Sequence, residues 1–349
     1  MGIKVGIIGC GGIANGKHLP SLAQIDDVEI VAFCDIDIEK AKIAATTFGT
    51  VNAKVYQDYQ ELLKDQTIDV VHICTPNYLH CDMTVHALEA NKHVMCEKPM
   101  AMTTAECDAM MAAAQRNARI LTIAYHYRFT DVAQAAKQAV AQGAVGVPVV
   151  SRVQALRRRK VPGWGVFTNK ALQGGGCLID YGCHVLDLVL WLLEDAQPTE
   201  ILGRTYNALS RQPQQLNEWG TFDYKTFDVE DHATSYVTFE NGASMQFECS
   251  WAANIHHDKL DVSISGDAGG LQLFPFEMYA PQSDGYHILE QDVSLNEGVA
   301  ASRQMDHFIR SCFGEVEPLV KPEEARRVTQ LIDAIYQSDR ERQSITIQG

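Results

Sequence analysis

The stretch GIIGCGGIA, residues 6–14, decides the fold because it places a glycine-rich turn directly after an apolar strand at the start of the chain. Its spacing is G-x-G-x-x-A. In a dinucleotide-binding turn the first glycine permits the sharp bend, the second lets the backbone approach a pyrophosphate, and the third position must be small. The spacing therefore predicts a strand, a phosphate-binding turn and a helix. The residues predicted to bind a cofactor here are Gly9, Gly11, Gly12, Ile13 and Ala14.

The next strand supplies the acidic residue that accompanies such a turn. VEIVAFCD ends on Asp35, about 20 positions after Ala14. A carboxylate at that place accepts hydrogen bonds from both adenine-ribose hydroxyls, and it repels the additional phosphate of NADP. We therefore expect NAD, favoured over NADP, with Asp35 and Ile36 in the binding site. Lys40 and Lys42 are close enough in sequence to leave NADP as an alternative.

Short apolar runs alternate with helix-like segments as far as about Ala124. The runs are continuous, without a polar residue at every second position: IKVGII, VEIVAFC, DVVHIC, KHVMCE and RILTIA. Continuous hydrophobicity indicates strands that are buried on both faces, which is typical of a parallel sheet covered by helices. Residues 1–124 are therefore predicted to form a Rossmann domain, an α/β domain with a doubly wound parallel sheet.

Beyond residue 124 the pattern changes to period-two alternation, as in ATSYVTFENGASMQFECSW, where Asn241-Gly242 is a strong hairpin signal. Further strands are predicted in VPVVSRVQALR, EILGRTYNAL, KLDVSISG and GGLQLF, and a helix is predicted near Pro322. Residues 125–349 are thus expected to form a second, α+β domain with a large, mostly antiparallel open sheet. Few helices follow residue 195 to cover both faces, so we expect a homodimer or homotetramer packed through this sheet.

Charge and cysteine content narrow the functional classes. The 29 basic and 44 acidic residues give a net charge of −15, which argues against nucleic acid and membrane surfaces as partners. The ten cysteines are scattered singly without a C-x-x-C pair, so reduced thiols and a cytoplasmic protein are expected. No signal peptide, bilayer-spanning run or metal site is expected. The basic run RRRK, residues 157–160, is either a solvated loop or the source of one arginine for a polar substrate.

Two later strands end on polar residues at the sheet edge where ligands of open α/β sheets bind. CTPNYLH places Thr75 and Asn77 there, and both are predicted to line the cofactor. In the same stretch, His80 either contacts the cofactor or faces solvent at a helix entry. HVMCEKP places Glu97 and Lys98 at the same edge, before a proline that restricts the backbone. From the residues alone, Lys98 is either solvated or positioned to meet a ligand.

The segment GGGCLIDYGCHVLDLVLWLLED, residues 174–195, combines an apolar helix with two polar groups, Asp180 and His184. Its three glycines are expected to let the backbone pass close to a ligand, and its leucines to anchor the helix in the core. An isolated histidine on such a helix is either a core residue with a satisfied hydrogen bond or a functional group. Asp187 is either a structural hydrogen-bond partner or a ligand contact.

Three motifs in this order resemble the glucose-fructose oxidoreductase and inositol dehydrogenase family, written Gfo/Idh/MocA. They are the terminal G-x-G-G-I-A, E-K-P after a later strand, and G-G-G-x-x-x-D-x-G-x-H-x-x-D, and the resemblance covers the whole chain. It implies NAD or NADP as cofactor and oxidation or reduction of a hydroxyl carbon on a sugar, polyol or sugar derivative. It also maps the family's active-site lysine onto Lys98 and its acid/base pair onto Asp180 and His184.

The same resemblance points to residues of the substrate cleft. YHYRF, residues 125–129, resembles the segment that leads into the cleft, which makes Tyr127 and Arg128 candidate substrate contacts. PGWG, residues 162–165, resembles a loop found in some members of the family. Its Trp164 either forms an apolar wall against a sugar ring or the nicotinamide, or fills the seam between the domains.

Hydride transfer from a carbinol carbon also requires a base that removes the hydroxyl proton. His184 has the side chain whose ordinary pKa lies nearest neutrality, so it is predicted to be the main acid/base. Asp180 is expected to orient the imidazole or the substrate, and Lys98 to stabilise the developing alkoxide. Two alternatives are an NAD-assisted glycosidase of the same fold and a non-catalytic NAD-binding regulator; the three intact polar residues argue against the regulator.

Overall fold

The computed structural model describes residues 2–194, 196–213, 215–290, 293 and 295–347, and they divide into two compact units. The first unit contains the residues up to Phe129 together with Asn296–Arg326. The second contains Thr130–Leu295 and the residues from Arg327 onward. The first unit thus extends a few residues beyond the predicted boundary at residue 124, and it includes a segment that the sequence pattern assigned to the second domain.

The first unit contains a parallel sheet. Its strands are β1 (Ile3–Ile8), β2 (Val28–Cys34), β3 (Lys54–Tyr56), β4 (Val70–Ile73), β5 (His93–Cys96) and β6 (Leu121–Ile123). Among the described residues these six strands pair in the order β3-β2-β1-β4-β5-β6, all parallel. This is the order of a dinucleotide-binding Rossmann sheet, so the predicted doubly wound parallel sheet is confirmed. Strand β3 was not predicted because it is short, lies at the edge and lacks a buried apolar run.

Helices connect the strands of both units. The α-helices of the described residues are α1 (Leu19–Leu22), α2 (Ile38–Phe48), α3 (Tyr59–Leu63), α4 (His80–Glu89), α5 (Thr104–Asn117), α6 (Asp131–Ala141), α7 (Lys170–Gln173), α8 (Cys183–Leu192), α9 (Glu297–Cys312) and α10 (Pro322–Glu341). Short 3₁₀ turns cover Asn77–Leu79 and His126–Phe129, and π-helical turns cover Ala14–His18 and Leu178–Gly182. The helix predicted near Pro322 is confirmed as α10.

Helix α9 explains why a late segment belongs to the first unit. The Asn296 side chain begins the helix by accepting the N–H of Val299 at 3.2 Å. Met305, Phe308 and Ile309 are buried in the hydrophobic core that also contains strand β1. Burial of these apolar side chains supplies the stabilisation that holds α9 there. The sequence interpretation missed this helix.

The second unit contains a mixed sheet. Its strands are β7 (Pro148–Leu156), β8 (Pro198–Tyr206), β9 (His232–Phe239), β10 (Ser244–Ser250), β11 (Lys259–Gly266), β12 (Gly270–Gln272), β13 (Glu277–Gln282), β14 (Gly285–Glu290) and β15 (Ile345–Thr346). In the part of the chain that the structure describes, they pair in the order β14-β13-β12-β11-β7-β10-β9-β8-β15. All neighbours are antiparallel except β7 and β10, so the mostly antiparallel sheet is confirmed. The predicted Asn241-Gly242 turn joins β9 to β10, with Gly242 at a φ of +83°.

Helix α8 forms the core of the second unit. Every residue from Cys183 to Leu192 is buried. The stretch Lys170–Leu192 is long and apolar enough to cross a membrane by length and composition, so the expectation that no run reaches this length is wrong. Its apolar window is 94% buried inside the protein, as the central helix of a folded domain is. Leu186, Leu190 and Leu193 are buried, which confirms the predicted anchoring.

Candidate active site

The glycine turn after β1 leaves open space beside its backbone. Gly9 has a φ of +91°, and a Cβ atom at this position would lie 2.6 Å from the carbonyl oxygen of Cys74, so glycine is required. At Gly11 and Gly12 a Cβ atom would meet nothing within 4 Å beyond the adjoining residues. Ala14 is fully buried at the start of the following π-helical turn. The turn therefore offers the close backbone approach that a pyrophosphate needs.

The Asp35 carboxylate is held in place by the backbone. Its Oδ2 accepts the N–H of Cys10 at 2.8 Å, and its Oδ1 accepts the N–H of Asp37 at 2.9 Å. Because a carboxylate oxygen accepts more than one hydrogen bond, both oxygens retain capacity for ribose hydroxyls. Ile36 beside it is 85% exposed, which suits a residue that contacts a ligand from the protein surface.

The two lysines that left NADP as an alternative are paired with carboxylates. Lys40 lies 3.8 Å from Asp37, and Lys42 lies 2.8 Å from Glu39. Both pairs are exposed, so they hold the side chains weakly. The preference for NAD over NADP stays a prediction.

Thr75 and His80 lie at the carboxyl end of β4. The Thr75 hydroxyl is buried and has no hydrogen-bond partner among the described residues. His80 is fully buried, so the interpretation that it faces solvent is wrong. Its ring nitrogens lie 2.9 Å from the Thr75 carbonyl and 2.8 Å from the Pro99 carbonyl, which joins two strand ends. Burial lowers the pKa of His80. Asn77 begins the short 3₁₀ turn between them in sequence.

Glu97 is the centre of a buried hydrogen-bond network at the end of β5. Its Oε2 accepts the N–H of Lys98 at 3.0 Å, and its Oε1 lies 2.8 Å from Nε2 of His18. The other nitrogen of His18, Nδ1, lies 2.9 Å from Nδ1 of His72. Burial alone would raise the pKa of Glu97, but the His18 hydrogen bond and the nearby charges outweigh it and lower the pKa to about 2. Glu97 therefore fixes the backbone from which Lys98 projects.

His18 and His72 were missed by the sequence interpretation. His18 belongs to the turn after the glycine motif, and His72 interrupts the apolar strand DVVHIC. The signal in the sequence was a polar residue inside a buried strand, because buried polar groups need a hydrogen-bond partner.

Lys98 is half-buried, and its peptide bond to Pro99 is cis.

Asp180 and His184 lie at the start of the buried helix of the second unit. Asp180 is part of the π-helical turn Leu178–Gly182, and His184 is the second residue of α8, only 9% exposed. The indole Nε1 of Trp251 donates to Oδ2 of Asp180 at 3.1 Å. Lys98 belongs to the first unit, so its convergence with these two residues stays a prediction. Asp187 is fully buried in α8.

The glycines before this helix approach protein rather than open space. A Cβ atom at Gly175 would lie 1.9 Å from the hydroxyl of Tyr336, and one at Gly176 would lie 2.0 Å from the carbonyl oxygen of Glu230. Glu230 Oε1 accepts the N–H groups of Gly176 and Leu178 at 2.8 and 2.9 Å and the hydroxyl of Tyr336 at 2.9 Å. Burial raises the pKa of Glu230. The expectation that all three glycines border a ligand is therefore wrong at Gly175 and Gly176.

The candidate substrate residues have different surroundings. Tyr127 is buried, with its hydroxyl 3.5 Å from Glu297. Arg128 is also buried, pairs with the Glu324 carboxylate and donates to the Leu319 carbonyl at 3.2 Å, all within the first unit. Trp164, in contrast, is 53% exposed. Of the three predicted contacts, Trp164 presents the most side-chain surface.

The remaining candidate ligands are histidine, acidic and cysteine side chains. Within the described ranges, no three His, Cys, Asp or Glu side chains are grouped in a way that could hold a metal ion. His256 and His257 stack edge to face, 3.9 Å between ring centroids, and Asp258 pairs with Lys160. All ten cysteines are free thiols.

Comparison with known proteins covers most of the chain. Residues 3–125 match the family described as "Oxidoreductase family, NAD-binding Rossmann fold", and residues 133–272 match the "GFO/IDH/MocA C-terminal domain". The chain is 36% identical to D-glucoside 3-dehydrogenase of Escherichia coli over 96% of this chain and 95% of that protein. It is 34% identical to inositol 2-dehydrogenase of Salmonella typhimurium over 57% of each chain. A solved levoglucosan dehydrogenase, in complex with NADH and levoglucosan, superposes with a TM-score of 0.84 at 23% identity over the full length of both chains.

Proposed function

The chain belongs to the Gfo/Idh/MocA family of oxidoreductases, and we propose that it is an NAD-dependent dehydrogenase that oxidises a hydroxyl carbon of a sugar, polyol or sugar derivative. Two of the similar proteins are named D-glucoside 3-dehydrogenase and inositol 2-dehydrogenase, and the first is similar over 96% of this chain. The observation that carries the proposal is the open glycine turn beside the backbone-held Asp35 carboxylate. These features fit a dinucleotide with unphosphorylated adenine ribose, so NAD is favoured over NADP.

Three residues of the chain would remove the hydroxyl proton, orient the reacting groups and stabilise the developing charge. When bound, the nicotinamide accepts the hydride. His184 takes the hydroxyl proton, because an imidazole accepts a proton near neutral pH and lies at the end of a buried helix. Asp180, held by the Trp251 indole, orients the imidazole or the substrate hydroxyl. Lys98 places a positive charge near the developing alkoxide. These three roles are proposals.

The cofactor contacts follow from the first unit. Gly9, Gly11, Gly12, Ile13 and Ala14 would hold the pyrophosphate, and Asp35 with Ile36 the adenosine end. The buried Thr75 hydroxyl, without a partner among the described residues, is available for a ligand at the strand edge. Asn77 and His80 would line the same edge. Glu97 acts through Lys98, whose N–H it holds.

We propose that the protein is a homo-oligomer that assembles through the sheet of the second unit, and that it is cytoplasmic. Leu202, Tyr206 and Tyr236 are exposed on adjacent strands β8 and β9, with 47%, 49% and 47% of their surfaces accessible. Exposed large apolar side chains on a sheet are typical of an interface. We expect light scattering at micromolar concentration to give a dimer or tetramer; a monodisperse monomer would contradict this assembly. Free thiols agree with a reducing compartment.

The activity is tested by supplying sugars, glycosides, inositols and uronates with NAD and NADP in parallel and following the absorbance of the reduced nicotinamide. The proposal expects NADH to accumulate with at least one class of substrate, and more slowly with NADP. Cleavage of a glycoside without net NADH would indicate the NAD-assisted glycosidase instead. If no NADH forms across the panel although NAD binding is measured by titration, the dehydrogenase is contradicted, and the glycosidase or the regulator is favoured.

A further inference from the structure

The basic run Arg157–Lys160 organises a surface next to Asp180 that the proposed reaction has not used. We propose that Trp164 and Trp219, here called the aromatic ledge, bind the second ring of a glycoside whose first ring is oxidised beside Asp180. The preferred substrate is then a sugar joined to a further sugar or an aromatic group, rather than a free monosaccharide. The identity of the oxidised ring rests on the proposed function; the binding of the second ring does not.

The two indoles of the ledge are unusually accessible. Trp164 is 53% exposed and Trp219 is 38% exposed. Their ring centroids lie 5.5 Å apart with planes 41° from parallel, and Trp164 also contacts Phe167 edge to face at 6.2 Å. Large aromatic side chains are normally well buried, and small-molecule sites are lined by them. Two adjacent indoles at a tilt present apolar faces of the kind that the C–H face of a sugar ring or an aromatic ring covers.

The Arg157 side chain connects the ledge to Asp180. Its guanidinium carbon lies 4.6 Å from the ring centroid of Trp219 and 3.9 Å from that of Tyr181. Its Nη1 lies 3.9 Å from Oδ2 of Asp180. Trp219 and Asp180 therefore flank the same guanidinium, all within the second unit. A ring held by Asp180 would direct its substituent across Arg157 toward the ledge.

Hydrogen bonds made by the two residues before Trp219 hold this part of the loop. The Asn217 side chain accepts the N–H of Val161 at 2.7 Å and donates to the Val161 carbonyl at 2.9 Å. The N–H of Glu218 donates to the carbonyl of Arg159 at 2.7 Å. These bonds join Asn217 and Glu218 to Val161 and Arg159. A loop that is already held in this way loses less conformational entropy when a ligand binds.

The remaining basic side chains brace the same loop. Arg158 donates to the Glu218 carboxylate from Nε and Nη2 at 2.8 and 2.6 Å. Arg159 donates to the Leu209 carbonyl at 2.8 Å and to Asn254 at 2.7 Å. A solvated basic loop would leave its side chains in water. Here Arg158 holds the residue before Trp219 and Arg157 lies over the Trp219 ring, so part of the basic run has a structural partner in this loop.

The test compares probes that share a glucose ring, namely methyl β-D-glucoside, phenyl β-D-glucoside and cellobiose, in the wild type, Trp219→Ala and Trp164→Ala. The proposal expects each alanine variant to raise KM for phenyl glucoside and cellobiose about tenfold. Trp219→Ala should leave kcat and the KM for methyl glucoside unchanged. Trp219→Phe should restore most of the loss. Leu216→Ala, which removes an exposed apolar side chain from the same loop, is the matched control.

Binding of the same probes to the NAD-loaded protein, measured by calorimetry, separates the two proposals. In one outcome, none of the probes is oxidised, but phenyl glucoside and cellobiose bind more tightly than methyl glucoside, and Trp219→Ala removes this difference in affinity. The aromatic ledge is then supported, while the proposed dehydrogenase activity fails for these three probes. If the variants weaken all three probes equally, the ledge is wrong while the dehydrogenase remains. Equal affinity of the wild type for all three probes would also overturn the ledge.

Discussion

The two glycine-rich turns of the chain, one in each unit, look alike in sequence and differ in what they approach. Each is followed by a π-helical turn, Ala14–His18 in the first unit and Leu178–Gly182 in the second. At Gly11 the side without a Cβ faces no other part of the described protein, whereas at Gly176 it faces the main chain of Glu230. The first turn leaves open space at Gly11 and Gly12, where a ligand is predicted, and the second makes room for the protein itself.

This difference shows that glycine has two roles in this protein. In the first unit, the turn is itself the predicted binding surface. In the second, the close approach to Glu230 fixes where the π-helical turn begins, so that Asp180 and His184 lie in the first turns of a helix whose remainder is buried. The second glycine turn therefore acts on the candidate site indirectly, by placing it.

Gly176→Ala is expected to have the largest effect. Its Cβ would lie 2.0 Å from the Glu230 carbonyl oxygen, which is main chain and cannot rotate away. We expect the free energy of unfolding to fall by more than about 3 kcal/mol, measured by urea denaturation. Gly298→Ala, where the nearest atom would lie 3.5 Å away, is the control and should be neutral or slightly stabilising. Equal stability of the two variants would remove the distinction between the turns.

Gly11→Val should give the opposite result. A Cβ atom there would meet nothing within 4 Å beyond the adjoining residues, so we expect the free energy of unfolding to change by less than about 0.5 kcal/mol. The valine side chain would occupy the space proposed for the pyrophosphate, so the Kd for NAD should rise roughly a hundredfold, a loss of about 2.7 kcal/mol. Titration of NADH fluorescence measures this. Unchanged NAD affinity in a folded Gly11→Val protein would contradict the assignment of the first turn.

Asp35→Ser is expected to change cofactor choice rather than folding. The variant removes the carboxylate that repels a 2′-phosphate and that is held by the N–H groups of Cys10 and Asp37. The preference for NAD over NADP should fall about tenfold in the ratio of the two kcat/KM values. If NADP were already used as well as NAD by the wild type, Asp35 would not be the discriminating residue.

Acidification is expected to weaken the first unit more than the second. Burial lowers the pKa of His72, His80 and His126, all in the first unit. In the unfolded chain these imidazoles titrate near pH 6.5, so the unfolded state binds more protons below that pH and stability falls as pH decreases. Each histidine contributes up to about 1.4 kcal/mol per pH unit. Glu97 and Glu297 both have a pKa of about 2, so the stability that their ionised forms contribute is lost only below about pH 4.5.

Hydrogen exchange at pH 7.5 and 5.5, corrected for intrinsic rates, resolves this difference. Peptides from β4 should lose more protection than peptides from β9 and β10. A uniform loss across both units would show that the buried histidines do not govern acid stability.

Local signals made much of this architecture predictable. The parallel sheet follows from continuous apolar runs, the β9–β10 turn from Asn241-Gly242, and the start of α10 from Pro322. The family motifs then identified the residues proposed for catalysis. These features depend on residues that are neighbours in sequence.

The remaining features depend on contacts between distant residues. Glu230 holds the start of the α8 segment from more than 50 positions away, and His18 meets Glu97 across 79 positions. Helix α9 belongs to the first unit because its apolar side chains pack in the core that contains strand β1. The spacing of these side chains along the sequence does not show which core they enter. Arg157 could be recognised as basic, but its place between Tyr181 and Trp219 depends on the fold.

The central claim, that the first turn binds NAD while the second places the proton acceptor, is tested most directly by His184→Ala. NAD affinity and turnover would be measured on the same preparation with a substrate identified from the panel. We expect turnover to fall at least about a hundredfold while the Kd for NAD changes less than about twofold. Near-normal turnover in His184→Ala would contradict it.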